Sequence, residues 1–517
     1  MPRNFFHAQD LGGEYLDLEQ DFRLGTPTAV FGVSAPHKAL IAAACAPGRI
    51  VYVADNAQSA AKAAEEIAGF SGEEPALLCA KDEVLLYKEA VSRDALFRRL
   101  HALYRVQRGA RITVCDVESL LQLFPRTVRS LTLREGEEVD FDSLPAQLVA
   151  LGYVRAASVD GKGNFALRGD ILDIFPINEE NPVRVDFFGD TVEKIKPYHF
   201  VTGERLEMRP SLDIVAATDV VVLPEEVPHL KDALFGELSS FRETASYERA
   251  QSIAGDIAAK LEGGAPFAGA SYLFPLLRCA SDFRAFFGDA LFLFDECKLI
   301  RDRVDVLYKE HEERFASLHR GGEVFSFCRD QLLSREEFFA LLRGVRAAAL
   351  QTFASSTYFF QPVKVYNLHA STLGRYLNRM EALVADVKRW RADGYRVMIW
   401  CGTKARADKL RDLLYDEGVS TVTCPPALER LLGKLVTVLT EELEHGIVLH
   451  EQKLAVIGTG DVYAKPVAKK RIRRRRNDMF TSPEVGDYAV HETHGIGRIT
   501  GTKKIETTDG TKEYIAL

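Results

Sequence analysis

The sequence predicts an α/β protein built on a parallel sheet, with a small β-rich domain inserted into it and a second α/β domain behind. Three observations carry that prediction. Short apolar runs alternate with helical stretches through the first 120 or so residues. Between about 138 and 225 the apolar runs shorten and glycines gather, at 161, 163, 169, 189 and 203. The strand–helix alternation then returns from Glu381 onward. Strands that alternate with helices need crossover connections, and crossovers make neighbouring strands parallel.

Taken in order, Arg49–Ala54 reads as a short buried strand, and Ala57–Phe70 as an Ala-rich helix closed by Gly72. Leu77–Cys79 is a second candidate strand. Ser92 is the expected N-cap of a helix that sets Leu96, Leu100, Leu103 and Tyr104 on one face and closes at Gly109. Ile112–Cys115 is a further strand. Beyond the β-rich insert, helical sequence resumes near Pro228, and Ala290–Phe294 gives one more buried strand. In the last α/β block a helix ends at Gly394, a strand runs from Arg396 to Cys401, and Thr403 caps a helix reaching Gly418. Strands near Leu435 and Leu454 follow.

A chain of 517 residues has room for three to four domains. Its 47% hydrophobic and 27% charged residues are ordinary for a folded protein and exclude wholesale disorder. No apolar run approaches the ~18 residues of a membrane span. Met1–Phe22 is rich in acids and lacks a signal-peptide core, so a cytoplasmic location is expected. Eight cysteines at 45, 79, 115, 279, 297, 328, 401 and 424 include no C-x-x-C pair, which argues against disulfide scaffolding and a zinc ribbon. The net charge is −8, yet residues 461–476 alone carry +7, which leaves −15 on the remainder. An acidic body repels phosphates, so any DNA contact is expected to be local, at the basic run 465–476. Such a run is ordinarily a solvated linker, and both readings are compatible.

Where a P-loop would sit the chain reads Phe31-Gly-Val-Ser-Ala-Pro-His-Lys38-Ala39. A working loop wraps phosphates with backbone N–H groups, sets Lys on the β/γ-phosphates and gives Mg²⁺ a Ser or Thr. Gly32 and Lys38 are present, but Pro36 has no N–H and Ala39 no metal ligand. The strand ending at Phe294 is followed by Asp295-Glu296, the place of a Walker-B acidic pair. Together these predict a RecA-like domain with a vestigial nucleotide site at Gly32, Lys38, Asp295 and Glu296. Neither a catalytic residue nor a bound cofactor or metal is expected in this chain.

The most specific segment is Gly163-Asn-Phe-Ala-Leu-Arg-Gly-Asp-Ile-Leu-Asp-Ile-Phe-Pro176, followed by Pro182-Val-Arg-Val-Asp-Phe-Phe-Gly-Asp190. Alternation along a strand puts Val183, Val185 and Phe187 on one face, expected to be core, and Arg184, Asp186 and Phe188 on the other. An aromatic and an arginine facing outward have the composition of a protein-binding hot spot. Alternatively, Phe188 packs under a loop and Arg184 pairs with Asp186 or Glu193.

At these residues the sequence resembles the UvrB-type interaction domain shared by the excision-repair protein UvrB and the transcription-repair coupling factors. The likeness extends upstream, through Ser92-Arg93, the helix over 96–104, Ile112–Cys115 and Ser119-Leu-Leu-Gln-Leu-Phe-Pro125, which look like the first lobe of the coupling factors' N-terminal module. In UvrB the ATPase motifs are intact; in that module they are decayed, as here. The resemblance implies that Arg168, Arg184 and Phe188 contact UvrA. A second segment, Val485-Gly-Asp-Tyr-Ala-Val-His-Glu-Thr-His-Gly-Ile-Gly-Arg498, is no zinc-protease signature, because its histidines are i, i+3 in a Gly-flanked β context. It resembles the opening of the SH3-like barrel with which coupling factors and CarD-type regulators bind RNA polymerase. Asp509-Gly510 is the expected hairpin turn before the strand Glu513–Leu517. By position Tyr514 and Ile515 carry the contact with the polymerase β subunit, and the alternative for both is barrel core.

The expected domains are a degenerate UvrB-like ATPase lobe over 1–137, resumed over 226–360, with a UvrA-binding α+β insert over 138–225. A third α/β domain follows over 365–460, then a basic linker over 461–484 and a truncated polymerase-interaction domain over 485–517. The family continues for several hundred residues, through motor domains that use ATP and Mg²⁺ to translocate on DNA, so a fragment or truncation product is expected. The function implied is recruitment of UvrA to stalled RNA polymerase in nucleotide excision repair. The alternatives are a UvrB-like damage-verifying ATPase or a CarD-like transcription regulator.

Overall fold

The computed structural model describes residues 5–81, 84–85, 87, 93–241, 243–264, 266–267, 269–423 and 435–463, and the strand segments 488–491, 495–498, 501–507 and 510–516. The chain divides into two compact units, Met1–Ala464 and Lys465–Leu517.

The first unit is organised by a seven-stranded parallel sheet. Its opening half contains β1 (Thr28–Phe31), α1 (Ala35–Ala44), β2 (Ile50–Ala54), α2 (Ala57–Ser71), β3 (Ala76–Leu78), α3 (Asp94–Gln107) and β4 (Ile112–Asp116). Helix α2 follows its sequence signals closely. The Asn56 side chain accepts from the Ser59 N–H, and Gly72 ends the helix with φ +67°, a conformation that L side chains resist. The start of α3 differs from expectation: Arg93 is its N-cap, without a side-chain cap bond, and Ser92 lies outside the described residues. Leu100 and Leu103 are buried as expected, but Leu96 is half-buried and Phe97 takes the deeper position.

The insert is a five-stranded sheet of β5 (Val154–Arg155), β6 (Asn164–Arg168), β7 (Ile171–Ile174), β8 (Val183–Phe188) and β9 (Thr191–Pro197), in the order β9-β8-β7-β6-β5. All pairs are antiparallel except β5 with β6. One face is apolar, with Phe165, Leu172, Ile174, Val183, Val185 and Phe187 packed into the core beneath the parallel sheet. The chain then returns to that sheet through β10 (Leu291–Asp295), α4 (Cys297–Arg320), α5 (Arg335–Leu342), β11 (Arg346–Gln351) and β12 (Lys364–Asn367). The full strand order is β12-β1-β11-β10-β2-β4-β3. The edge strand β12 pairs with β1 across Thr28–Phe31, so this sheet holds the chain as far as Asn367.

The next sheet is mixed. Its elements are β13 (Ser371–Thr372), α6 (Met380–Ala392), β14 (Arg396–Trp400), α7 (Lys404–Asp416), β15 (Thr421–Val422), β16 (Val436–Leu439), β17 (Ile447–Leu449) and β18 (Leu454–Ile457), in the order β13-β17-β18-β14-β16-β15. Thr403 caps α7 by accepting from the Arg406 N–H. The sequence indicated β14, β16 and β18 but not the short antiparallel pair β13–β17. One hydrophobic core joins the two sheets. Phe6 stacks on Trp400 at 6.1 Å and Phe5 meets it edge-on at 5.8 Å, so the N-terminal segment is a wedge shared by both.

The second unit contains two antiparallel pairs, β19 (Tyr488–His491) with β20 (Gly495–Arg498), and β21 (Gly501–Thr507) with β22 (Gly510–Ala516). β22 begins earlier than predicted, at Gly510, and Asp509 lies outside the described residues. So does the basic run 465–476. Among the described residues no helix is long and apolar enough to cross a membrane, no cluster of ligands could hold a metal, and the seven cysteines carry free thiols.

Candidate functional site

Two places matter: the loop after β1, where a nucleotide would sit, and the outer face of the inserted sheet.

The loop after β1 spans only Gly32–Ser34 before α1 begins with Pro36 in its first turn. Gly32 has φ +78°, and a Cβ there would stand 2.6 Å from the Leu368 carbonyl oxygen. The segment that continues from β12 therefore lies directly against the loop. Lys38 is 4% exposed, and its Nζ donates to Asp295 Oδ1 and to Glu296 Oε1, both at 2.6 Å. Glu296 also accepts from the Thr352 backbone N–H at 2.8 Å and from Thr352 Oγ1 at 2.6 Å, and Oγ1 lies 3.2 Å from the Val33 carbonyl. Burial pushes the Glu296 carboxyl up, but the hydrogen bonds from Lys38 and Thr352 outweigh it and hold its pKa below the ordinary value. Glu296 pays for its position with a left-handed backbone, φ +57°.

Of the four residues the sequence singles out, the structure joins Lys38, Asp295 and Glu296 into one closed ion cluster, while Gly32 makes the turn that Leu368 covers. His37 is sequestered as well. Its Nε2 sits 2.7 Å from the Tyr15 hydroxyl, and burial, with His369 nearby, lowers its pKa to about 4. A bound nucleotide needs an accessible ammonium, several convergent N–H groups and a hydroxyl for Mg²⁺. The residues present do not fit that group: the ammonium is spent on two carboxylates, and backbone lies across the loop.

The inserted sheet offers a different surface. On its outer face Arg184 of β8 stands directly opposite Asp173 of β7 on one side and Lys196 of β9 on the other. The Arg184 guanidinium grips Asp173 with two bonds, Nε to Oδ1 at 2.8 Å and Nη2 to Oδ2 at 2.9 Å, and lies 5.9 Å from the Tyr198 ring centre. That corrects the partner given to Arg184 in the alternative reading of the sequence. Asp186 pairs instead with Lys196, and Glu193 lies 3.6 Å from its neighbour Lys194. Hydrogen bonding to Asp173 raises the Arg184 pKa further, so the guanidinium is charged at any physiological pH.

Phe188 is 81% exposed and packs under no loop. Arg168, on β6, donates to the Ala157 carbonyl at 2.8 Å and faces outward opposite Ile171, which itself stands opposite Asp186. Two strand spacings put Arg168 about 10 Å from β8. Arg168, Arg184 and Phe188 therefore share one face, with Arg184 held rigid by a carboxylate that the sequence reading missed. The signal was available, because Asp173 follows Ile171 at strand period 2 within the same hairpin.

Tyr514 and Ile515 lie on β22, paired opposite Lys503 and Thr502 of β21.

A family model described as the UvrB interaction domain matches residues 131–219, and one described as the CarD-like/TRCF RID domain matches residues 484–517. Three curated proteins, each described as a transcription-repair-coupling factor, are similar over most of this chain. The one from Myxococcus xanthus is 28% identical over 507 residues, covering 90% of this chain and 42% of its own length. The one from Bacillus subtilis (strain 168) is 23% identical over 490 residues, covering 90% and 41%. The one from Staphylococcus aureus (strain USA300) is 24% identical over 409 residues, covering 75% and 34%. The chain spans about two fifths of the length of the first of these relatives. The resemblance to the N-terminal portion of a transcription-repair coupling factor, read from the motifs alone, is borne out.

Proposed function

We propose that this chain, as kin of the transcription-repair coupling factors, is the recruitment portion of such a factor, docking UvrA and RNA polymerase without hydrolysing a nucleotide itself. The observation that carries this reading is the outer face of the inserted sheet, within the residues that match the UvrB interaction domain. A largely exposed phenylalanine on an ordered strand gains about 1.5–3 kcal/mol when a partner covers it. Arg184, fixed by Asp173, supplies directional charge beside it at little further ordering cost. An exposed aromatic flanked by anchored arginines is the composition that concentrates binding energy at protein interfaces.

The closed cluster of Lys38 with Asp295 and Glu296 supports the second half of the proposal. Opening that site for a triphosphate means breaking two part-buried ionic bonds and moving Leu368, which weighs against the UvrB-like ATPase reading. ATP-driven translocation, with Mg²⁺, is proposed for motor domains of the longer family members and not for these residues. Polymerase docking is assigned by resemblance to an SH3-like barrel containing Tyr514 and Ile515, against the β subunit. The basic run 465–476 is proposed to rest on DNA phosphates, and the whole to work in the cytoplasm.

The test is interferometry with the chain immobilised and UvrA in solution, alongside calorimetry with Mg-ATP. Specific UvrA binding that Phe188→Ala weakens is expected. Absence of UvrA binding overturns the recruitment role, and micromolar ATP binding overturns the inert site.

A further inference from the structure

A cleft of 410 Å³ runs along α5 and is lined by Arg301, Arg335, Glu336, Phe339, Arg343 and Tyr358. Its volume lies within the ~300–1,000 Å³ of ordinary ligand clefts. Arg301 and Tyr358 sit just past the carboxyl ends of β10 and β11, the end of a parallel α/β sheet where ligands are usually held. It is separate from the Lys38 cluster and from the face that carries Phe188.

The cleft is built from stacked cation–aromatic pairs. The Arg301 guanidinium lies 4.8 Å from the Tyr358 ring centre, and that of Arg335 lies 5.2 Å from Phe339. Phe339 is stacked in turn on Phe359 at 6.1 Å, and Phe359 packs on Phe294 of β10, so this wall is anchored in the core. Tyr358 adopts φ +58°, a backbone conformation L residues rarely hold, and so presents its ring to Arg301.

The three arginines differ in how far the chain satisfies them. Arg335 is committed to Asp305, with bonds at 2.9 and 3.1 Å. Arg301 has only a 3.9 Å approach to Asp305. Arg343 is exposed, and its side chain has no hydrogen-bond or ionic partner among the described residues. A guanidinium held over an aromatic ring, as that of Arg301 is, loses less freedom when it binds a carboxylate through two parallel bonds. Two guanidiniums with spare capacity on an apolar wall thus call for an anion attached to an apolar chain.

A nucleic-acid strand is the poorer match. Glu336 lines the cleft, Asp305 stands beneath it, and the chain outside 461–476 carries −15. Phosphates repeat at every nucleotide and would meet Glu336 and Asp305 as well as the arginines, whereas carboxylates spaced by apolar residues can fall on the arginines with the apolar side chains on the aromatic wall. We propose that this cleft is a docking site for an acidic protein segment, with Arg301 and Arg343 taking its carboxylates and Tyr358 and Phe339 its apolar side chains.

The experiment uses the full chain and fluorescence anisotropy with three fluorescein-labelled probes: an Asp–Leu octapeptide, its Lys–Leu counterpart, and an oligothymidine dodecamer. The Asp–Leu peptide is expected to bind in preference to the other two. Arg301→Ala with Arg343→Ala is expected to weaken it at least tenfold, the value of a single lost charge-assisted hydrogen bond. Arg343→Glu alone, at a position with no partner to lose, keeps the test valid if the double variant folds poorly, and it should weaken binding at least as much. UvrA binding through the Phe188 face should be unchanged in both variants. Equal binding of the two peptides, or binding indifferent to Arg343→Glu, refutes the proposal. So does tighter binding of oligothymidine that Arg343→Glu abolishes, since that assigns the cleft to nucleic acid.

Discussion

Replacing Lys38 by methionine separates a structural lysine from a phosphate-binding one. In a working P-loop the ammonium is held for the ligand, so its loss removes nucleotide affinity and leaves the apo fold nearly as stable. Here the Lys38 side chain is 4% exposed, those of Asp295 and Glu296 are 20% and 24% exposed, and both ionic bonds are 2.6 Å long. Methionine fills a similar volume, so little cavity cost is added. What remains is two neighbouring carboxylates without a counter-charge, and removing one partner of a buried pair costs about 3–5 kcal/mol. The carboxylates are partly wet, which favours the lower end, about 3 kcal/mol.

Urea unfolding of wild type and Lys38→Met, followed by far-UV circular dichroism, reads that cost as a shift of the first transition. A second signature comes from pH. The folded-state pKa of Glu296 lies below its ordinary 4.5, so the unfolded state binds more protons as the solution is acidified. The pair's contribution is therefore complete above about pH 4.5 and is lost as pH falls through the lowered folded value. In Lys38→Met that acid-limb loss should disappear. An unshifted transition with an unchanged acid limb would refute the closed-cluster reasoning, as would stabilisation of the wild type by Mg-ATP.

Phe188→Ala should weaken UvrA binding by about 2 kcal/mol, some thirtyfold, while stability moves by no more than about 0.5 kcal/mol, because the ring touches solvent and not core. Equal UvrA affinity by interferometry would remove this residue from the interface. Arg184→Ala is predicted to lower stability as well, by about 1–3 kcal/mol, since it strands the buried Asp173 carboxylate; urea melts check this. Trp400→Ala should cost about 3–5 kcal/mol through lost packing, as the indole nitrogen has no hydrogen-bond partner to lose, and denaturant unfolding measures it. Burial pushes the Glu66 carboxyl up to about 8. The folded state then binds more protons than the unfolded, so this residue makes stability fall as pH rises from about 4.5 to 8. Glu66→Gln should flatten that slope in melts taken across the interval, and an unaltered slope would exclude Glu66 as its source.

Local signals were legible wherever one residue type answered one backbone demand. Asn56, Gly72 and Thr403 mark helix ends because capping depends on residues a few positions apart. The alternation Val183, Val185, Phe187 against Arg184, Asp186, Phe188 gave the two faces of β8 correctly, since strand period is a property of the backbone. Arg184's partner was missed because nearness along the chain favoured Asp186, whereas hairpin register sets Asp173 across from it. The edge strand β12 was also missed. Its exposed Val365, flanked by Lys364, Tyr366 and Asn367, does not show the continuous apolar run of a central strand.

The sequence alone determined the resemblance to transcription-repair coupling factors, the alternation of strands and helices, and the grouping of Gly32, Lys38, Asp295 and Glu296, because each is written in short-range pattern. Only the tertiary structure decided that Lys38 is consumed by two carboxylates 257 and 258 residues away. It also decided that Phe6 and Trp400 weld two sheets through one core, and that Arg301 and Arg343 flank a common cleft. The physical reason is the same in each case. Coulomb and packing energies depend on separation in space, and a chain that crosses its sheet many times brings together groups whose spacing in sequence carries no trace of the encounter.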